Sequence, residues 1–301
     1  MSAVDLYLMS PPAPSFQLRG RANFRSEAAA PVDARLAIKE WVSLADAIVA
    51  RGGRVVCLVP DRDTELTGLP YAAECGHLVE QDGELCFLLP NMAVPHRVRE
   101  RELWRQVAKD LGWTPVDLPT GIWEAQGDIA WFRGRTLLFF GGRTDRAGVL
   151  AVAPFFPKDA LLVEIGAPAF HGNMAALPLE AADRMLVCRD VIAPSSLSAL
   201  EESFGEDALT DVSVEEVRRY ATNGLPIGKS VLAPHLVPAP VVGLMESWGL
   251  EVVSLSMTEL CEKAGGASRC LVSRARVEQR RVTIPPHLDY TLLRDGILAD
   301  V

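Results

Sequence analysis

Short apolar segments bounded by glycine turns alternate with amphipathic stretches along this 301-residue chain, and the order strand-strand-helix-strand recurs several times. That recurrence constrains the fold more than any single motif, because the order of elements selects among α/β architectures. Val32–Ala50 carries Leu36, Ile38, Trp41, Val42, Leu44, Ala45 and Ile48 at helical spacing, and Arg54–Val59 reads as a strand after the Gly52-Gly53 turn. Gly76–Val79 and Glu84–Leu89 flank Gln81-Asp82-Gly83, a hairpin signal. Arg97–Leu111 reads as an amphipathic helix closed by Gly112. Thr136–Phe140 and Val149–Val152 read as strands around the turn Gly141–Arg146, followed by strands at Leu161–Ile165 and Met185–Cys188. Ala193–Asp211, rich in Ser and acids, reads as a surface loop with a short helix. Ser213–Thr222 is a predicted helix, Lys229–Ala233 a strand, and Val237–Trp248 a helix with Pro238 and Pro240 in its first turn, where proline is tolerated. Glu251–Leu255, a short helix at Met257–Lys263 and a strand at Cys270–Ser273 complete the pass. No low-complexity linker divides the chain, so the expectation is one domain over residues 1–301 built from repeated mixed α/β modules. The alternative is a doubly wound parallel sheet, but no G-x-G-x-x-G opens a helix after the first strand, and the P-loop pattern is absent.

Hydrophobic residues make up 49% and charged residues 23% of the chain, enough for a full core. The net charge is −9 and the pI near 5.2, which argues against nucleic-acid and anionic-membrane partners and is compatible with a small cationic substrate. Cys57, Cys75, Cys86, Cys188, Cys261 and Cys270 form no C-x-x-C pair and no zinc-like spacing with His, so no metal site is expected. A chain of this length needs no disulfide staples, and the thiols read as reduced and the compartment as cytoplasmic. Met1 to Met9 shows no basic n-region or long apolar h-region, and no apolar run reaches about 18 residues, so neither a signal peptide nor a membrane span is expected.

Chemistry concentrates in three places. In Glu259–Val272 the pair Gly265-Gly266 leads to Cys270, a turn able to present a thiol at the mouth of a site. Arg269 and the turn amides offer the donor-rich setting that lowers a thiol pKa, whereas Cys261 sits in a helix-like run. Phe170–Leu179 holds His171, a natural proton shuttle near neutral pH, with Asn173 two residues on. Trp123–Trp131 places Glu124 and Asp128 around Gly127, and paired acids with apolar neighbours can grip a cation. Taken singly, these residues also read as an inert buried thiol, a core histidine and a solvated turn.

In this order the segments resemble the guanidino-group-modifying, or pentein, superfamily of arginine deiminases, dimethylarginine dimethylaminohydrolases and amidinotransferases. Met9-Ser10-Pro11-Pro12 with Asn23 is similar to its opening motif, and Leu66–Gly76 to a segment that often reads L-P-D-x-V-F-T-A-N-A-G. Trp123–Asp128 is similar to E-G-x-G-D, Gly142-Arg143-Thr144-Asp145 to G-x-R-T-N/D, His171-Gly172-Asn173 to H-x-D, and Gly265–Cys270 to G-G-x-x-x-C. The resemblance implies an α/β fold, a five-bladed pseudo-symmetric propeller of ββαβ modules around a central pocket. It implies Cys270 as nucleophile, His171 as acid and base, Glu124 as their catalytic partner, and Glu74, Asp128, Asn173 and Arg143 as substrate ligands, Arg143 through a substrate carboxylate. It implies no cofactor, a small guanidino substrate tied to arginine metabolism, and a homodimer as one assembly. Amidino transfer, with an amine replacing water, and ligand binding without turnover are the two alternatives. The chain departs from the pattern at Gly68, where the family often has an acid, at Glu74, where it has Asp or Asn, and at Asn173, where it has Asp. Fewer carboxylates weaken the grip on a cation, so these departures point to a substrate other than arginine or a methylarginine.

Overall fold

The computed structural model describes residues 3–18 and 29–299. Their strands form five three-stranded sheets, distributed over two compact units, Met1–Asp117 with Leu255–Val301, and Leu118–Ser254.

In the first unit, strand β1 (Ala3–Met9) lies at the centre of its sheet. It pairs in parallel with β2 (Arg54–Cys57), from Leu6↔Arg54 to Met9↔Cys57. On its other edge it pairs antiparallel with β15 (Ser273–Glu278), from Ala3↔Glu278 to Leu8↔Ser273. Helix α1 (Ala34–Val49) makes the crossover from β1 to β2. It starts at Asp33, whose carboxylate accepts from the N–H groups of Arg35 and Leu36 at 2.9 and 3.2 Å. Its apolar face buries Ile38, Trp41, Leu44, Ala45 and Ile48. Trp41 meets Tyr290 of α7 (Tyr290–Leu298) edge-on at 5.7 Å. The second sheet holds the hairpin β3 (His77–Gln81) and β4 (Glu84–Leu88), then helix α2 (Glu100–Asp110), then β5 (Thr114–Val116) parallel to β4. Asp82 and Gly83, with φ of 50° and 83°, make the two-residue turn that suits the right-handed twist of a hairpin. Leu6, Leu8, Val56, Phe87, Trp104 and Trp113 share one buried cluster.

The second unit repeats the order three times. Strands β6 (Ile129–Phe132) and β7 (Arg135–Phe140) form a hairpin through Arg133 and Gly134, both at positive φ. Helix α3 (Arg146–Val152) leads to β8 (Leu161–Glu164), parallel to β7. Strands β9 (Ala176–Leu179) and β10 (Arg184–Val187), helix α4 (Pro194–Phe204) and β11 (Leu209–Asp211) follow the same plan. The short helix α5 (Val214–Arg218), closed by a Ser213–Glu216 capping box, leads to the last sheet. There β12 (Leu225–Ile227) pairs antiparallel with β13 (Ser230–Pro234), and α6 (Ala239–Ser247) precedes β14 (Glu251–Leu255) beside β13.

Several expectations change. Val149–Val152 is the end of helix α3, not a strand, because Asp145 caps the segment by accepting from the Gly148 N–H at 2.6 Å. Cys270 to Val272 lie in a turn, and the strand begins at Ser273. Ala193–Asp211 carries the expected helix as α4, but the remainder includes β11, the outer strand of a sheet, where a surface loop was expected. The segment Arg97–Leu111 divides into a 3₁₀ turn at Pro95–Arg97 and helix α2, and Met257–Lys263 winds as a π turn over Thr258–Lys263. Among the described residues no helix is long and apolar enough to cross a membrane.

Candidate active site

In the second unit three turns are tied together by one carboxylate. Glu124 precedes the 3₁₀ turn Ala125–Asp128, which feeds β6. Asp128 accepts from Thr144 Oγ1 at 2.6 Å through one oxygen and from the Gly172 N–H at 2.7 Å through the other. Thr144 Oγ1 in turn accepts from the Glu124 N–H at 3.0 Å. The turn before β6, the turn after β7 and the turn after Phe170 are thereby held in register. Burial pushes the Asp128 carboxyl up to about 6, opposed by the nearby His171 and by its two hydrogen bonds.

That frame brings His171 Nε2 to 2.7 Å from Glu124 Oε2, with both side chains fully buried. Gly127 makes room: a Cβ there would lie 3.0 to 3.2 Å from three atoms of the His171 ring. Arg143 Nη1 stands 3.6 Å from the same Glu124 oxygen, and its guanidinium lies 4.6 Å over the Phe170 ring, which meets His171 edge-on at 5.2 Å. Of the expected residues, Glu124, Asp128, His171 and Arg143 therefore gather in this unit. Asn173 is buried a short way off, its Oδ1 accepting from Asn223 Nδ2 at 3.1 Å. Thr144 and Asn223 carry no signal of a role in the sequence alone. Thr144 lay inside a quoted motif, but nothing in the spacing says that its hydroxyl relays between two acids.

In the first unit Cys270 closes a tight turn, its N–H donating to the Ala267 carbonyl at 2.9 Å, and it is 4% exposed. The glycine pair has a packing reason. Gly265 sits at φ +88°, and a Cβ on Gly266 would strike the Tyr71 ring and lie 3.3 Å from the Cys270 Cβ. Tyr71 reaches the Leu260 carbonyl at 3.3 Å, and burial with the neighbouring Cys261 and Cys270 holds its phenol well above the usual range. Upstream, Glu40 of α1 caps the π turn by accepting from the N–H groups of Glu259 and Leu260, each at 3.0 Å. Arg269, next in chain to the thiol, donates to the Val272 carbonyl at 2.8 Å, and burial lowers it to about 10.

The Cys270 carbonyl accepts from the Ala73 N–H at 3.0 Å, which ties the cysteine turn to the 3₁₀ turn Ala72–Glu74. Glu74 is buried there and forms an ion pair with Arg97. No disulfide joins any cysteine among the described residues. Asn23, the second part of the expected opening motif, lies outside the described residues.

Five three-stranded sheets, four of them a hairpin followed by a helix and a third strand and one joining β1 and β2 to the late strand β15, match the five-module α/β propeller fold. No family model matches the chain. Among curated proteins it is similar to N(G),N(G)-dimethylarginine dimethylaminohydrolase of Mycobacterium tuberculosis, 24% identical over 267 residues, which span 88% of this chain and 83% of that protein. Among solved structures it is similar to the product-bound N-terminal domain of ArgZ, an arginine dihydrolase from the ornithine–ammonia cycle in cyanobacteria. That match has a TM-score of 0.80 and 20% identity, and covers 90% of this chain and 97% of the other. A dimethylarginine dimethylaminohydrolase variant in adduct with S-methyl-L-thiocitrulline matches with a TM-score of 0.68 and 16% identity, over 90% and 99% of the two chains.

Proposed function

We propose that this chain is a cysteine-dependent hydrolase of a guanidino or amidino C–N bond in a small arginine-like compound. The observation that carries the reading is the buried His171–Glu124 pair at 2.7 Å, an imidazole held by a carboxylate and flanked by Arg143. Such a pairing fixes the orientation of the ring that is to carry the proton.

In this reading the Cys270 thiolate attacks the guanidinium carbon. His171 gives its proton to the departing nitrogen, the C–N bond breaks, and an S-linked thiouronium remains. His171, now neutral, takes a proton from water, whose oxygen attacks the same carbon. The C–S bond then breaks, returning the thiolate and releasing a ureido product. Glu124 orients the imidazole, and Asp128 contributes by holding three turns in register. Arg143 takes a substrate carboxylate, and Glu74 and Asn173 serve as further substrate ligands. The relatives named for dimethylarginine and arginine hydrolysis support this substrate class. The reading takes the protein as cytoplasmic, active in one domain and without a cofactor.

The test is incubation with a panel of guanidino compounds, including arginine and N-methylated arginines, with assay of ureido product and of released amine. Turnover in the wild type and its loss by at least about 10³-fold in Cys270→Ser are expected. A folded wild type silent across the panel overturns the reading. A new guanidino compound formed when an amine is added would assign transfer in place of hydrolysis.

A further inference from the structure

A second buried ionic cluster lies around Gly68, the position where the superfamily pattern often has an acid. Arg97, in the turn before α2, is 5% exposed, and its guanidinium serves two carboxylates and two carbonyls. Nε donates to both oxygens of Glu100 at 3.1 and 3.0 Å, and Nη1 pairs with Glu74. Nη2 donates to Glu100 at 2.8 Å, to the Gly68 carbonyl at 2.9 Å and to the Tyr71 carbonyl at 3.3 Å. Glu100, the first residue of α2, is 1% exposed, and Glu74 is 3% exposed. A Cβ on Gly68 would collide with Arg97 Nε and Glu100 Oε1 and would lie 2.8 Å from Arg97 Cδ. The glycine is thus the floor on which this ion pair rests, not simply a lost carboxylate.

We propose that Arg97 is a positioning residue, a resident guanidinium that orients the Glu74 carboxylate, and that Glu100 supplies from α2 the acid missing at position 68. Only a planar fork with donors on three nitrogens can join these partners at once, so lysine is not an equivalent. The arrangement reaches the proposed nucleophile through the backbone. Glu74 follows Ala73 directly, and the Ala73 N–H holds the Cys270 carbonyl at 3.0 Å. A displaced Glu74 side chain therefore disturbs a substrate ligand, while the Ala73–Cys270 backbone bond keeps the cysteine turn in place. The kinetic consequence rests on the guanidino-hydrolase reading, whereas the placement of Arg97 does not.

Two measurements separate these layers. The first needs no activity: thermal unfolding of wild type and Arg97→Ala with millimolar methylguanidinium, against methylammonium as control. Methylguanidinium should raise the midpoint of Arg97→Ala by several degrees more than that of the wild type, because it refills the vacated site. Equal shifts in the two proteins, or equal effects of the two cations on Arg97→Ala, overturn the proposal. Gly68→Ala keeps every charge and covers the case in which Arg97→Ala does not fold. It should lower the midpoint by several degrees, since the added Cβ strikes Arg97 Nε, Arg97 Cδ and Glu100 Oε1 at once, and an unchanged midpoint overturns the placement.

The second measurement is kinetic. Arg97→Lys should raise KM about 10-fold with kcat within a few fold, and adding Glu74→Gln should raise KM no further than Glu74→Gln alone. KM effects that multiply overturn the positioning role. A wild type without turnover would refute the hydrolase reading instead, and the thermal arm would still decide where Arg97 acts.

Discussion

Two buried groups of acids in this molecule are held in opposite ways. In the second unit, Asp128 is met by a hydroxyl and a backbone N–H, and its neighbour Glu124 by an imidazole at 2.7 Å with the Arg143 guanidinium farther off at 3.6 Å. In the first unit, Glu74 and Glu100 share one permanent cation, Arg97. Neutral donors leave the carboxylate sensitive to burial, and Asp128 is accordingly raised to about 6. A guanidinium cancels charge at any pH a protein tolerates, but it makes each partner hostage to the other. One group is thus built to respond to protons and the other to stay fixed.

The contrast breaks first at Arg97. Arg97→Met leaves two buried carboxylates without their cation, and should cost about 3–5 kcal/mol of stability, read from urea midpoints. A loss below about 1 kcal/mol would mean that the first unit does not depend on its cation.

The next effect is the pH response of Asp128. Its carboxyl is raised from 3.8 to about 6 in the folded protein, so the native state holds the proton more tightly than the unfolded chain. Its contribution to stability is complete below pH 3.8 and is withdrawn as pH rises through about 6. Wild type should therefore lose up to about 3 kcal/mol relative to Asp128→Asn across that window. A constant difference between the two proteins would remove the proposed proton sensitivity.

Thr144→Val deletes the hydroxyl between Asp128 and the Glu124 N–H and should cost about 1–2 kcal/mol. It should also lower the midpoint less at pH 4 than at pH 7, because Asp128 needs the hydroxyl most when ionised. The smallest effect is expected from Gly127→Ala. The added Cβ asks the His171 ring to move by a few tenths of an ångström, for about 1 kcal/mol at the low end of overpacking. A turnover loss larger than this stability loss would identify ring placement as the sensitive quantity.

How much of this was legible in the chain follows from how local each signal is. Glu251–Leu255 is a strand as predicted, α1 falls inside the helix predicted for Val32–Ala50, and the Asp82-Gly83 hairpin sits where its turn residues placed it. Each of these rests on neighbours in sequence. Val149–Val152 failed because four apolar residues fit a strand or a helix equally, and the deciding Asp145 cap was read as part of a turn. Glu124 and His171 are hydrogen-bonded across 47 residues, and only a family resemblance linked them beforehand. The Arg97 cluster had no such help. Its members are spaced 3, 23 and 29 residues apart, and the Gly68 that marks it reads as a deletion until the guanidinium is seen lying on it.

Strand β15 stands beside β1, pairing Ala3 with Glu278 and Leu8 with Ser273. A ribosome making this polypeptide releases the whole of Leu118–Ser254 as one uninterrupted stretch, ready to collapse on emergence, while the opening strand waits for a mate translated some 270 residues later. The Cys270 turn lies immediately before that late-arriving strand. A nascent chain stalled ahead of it has neither a closed first sheet nor the thiol proposed as nucleophile, so the completion of that sheet and the arrival of Cys270 are a single event in synthesis.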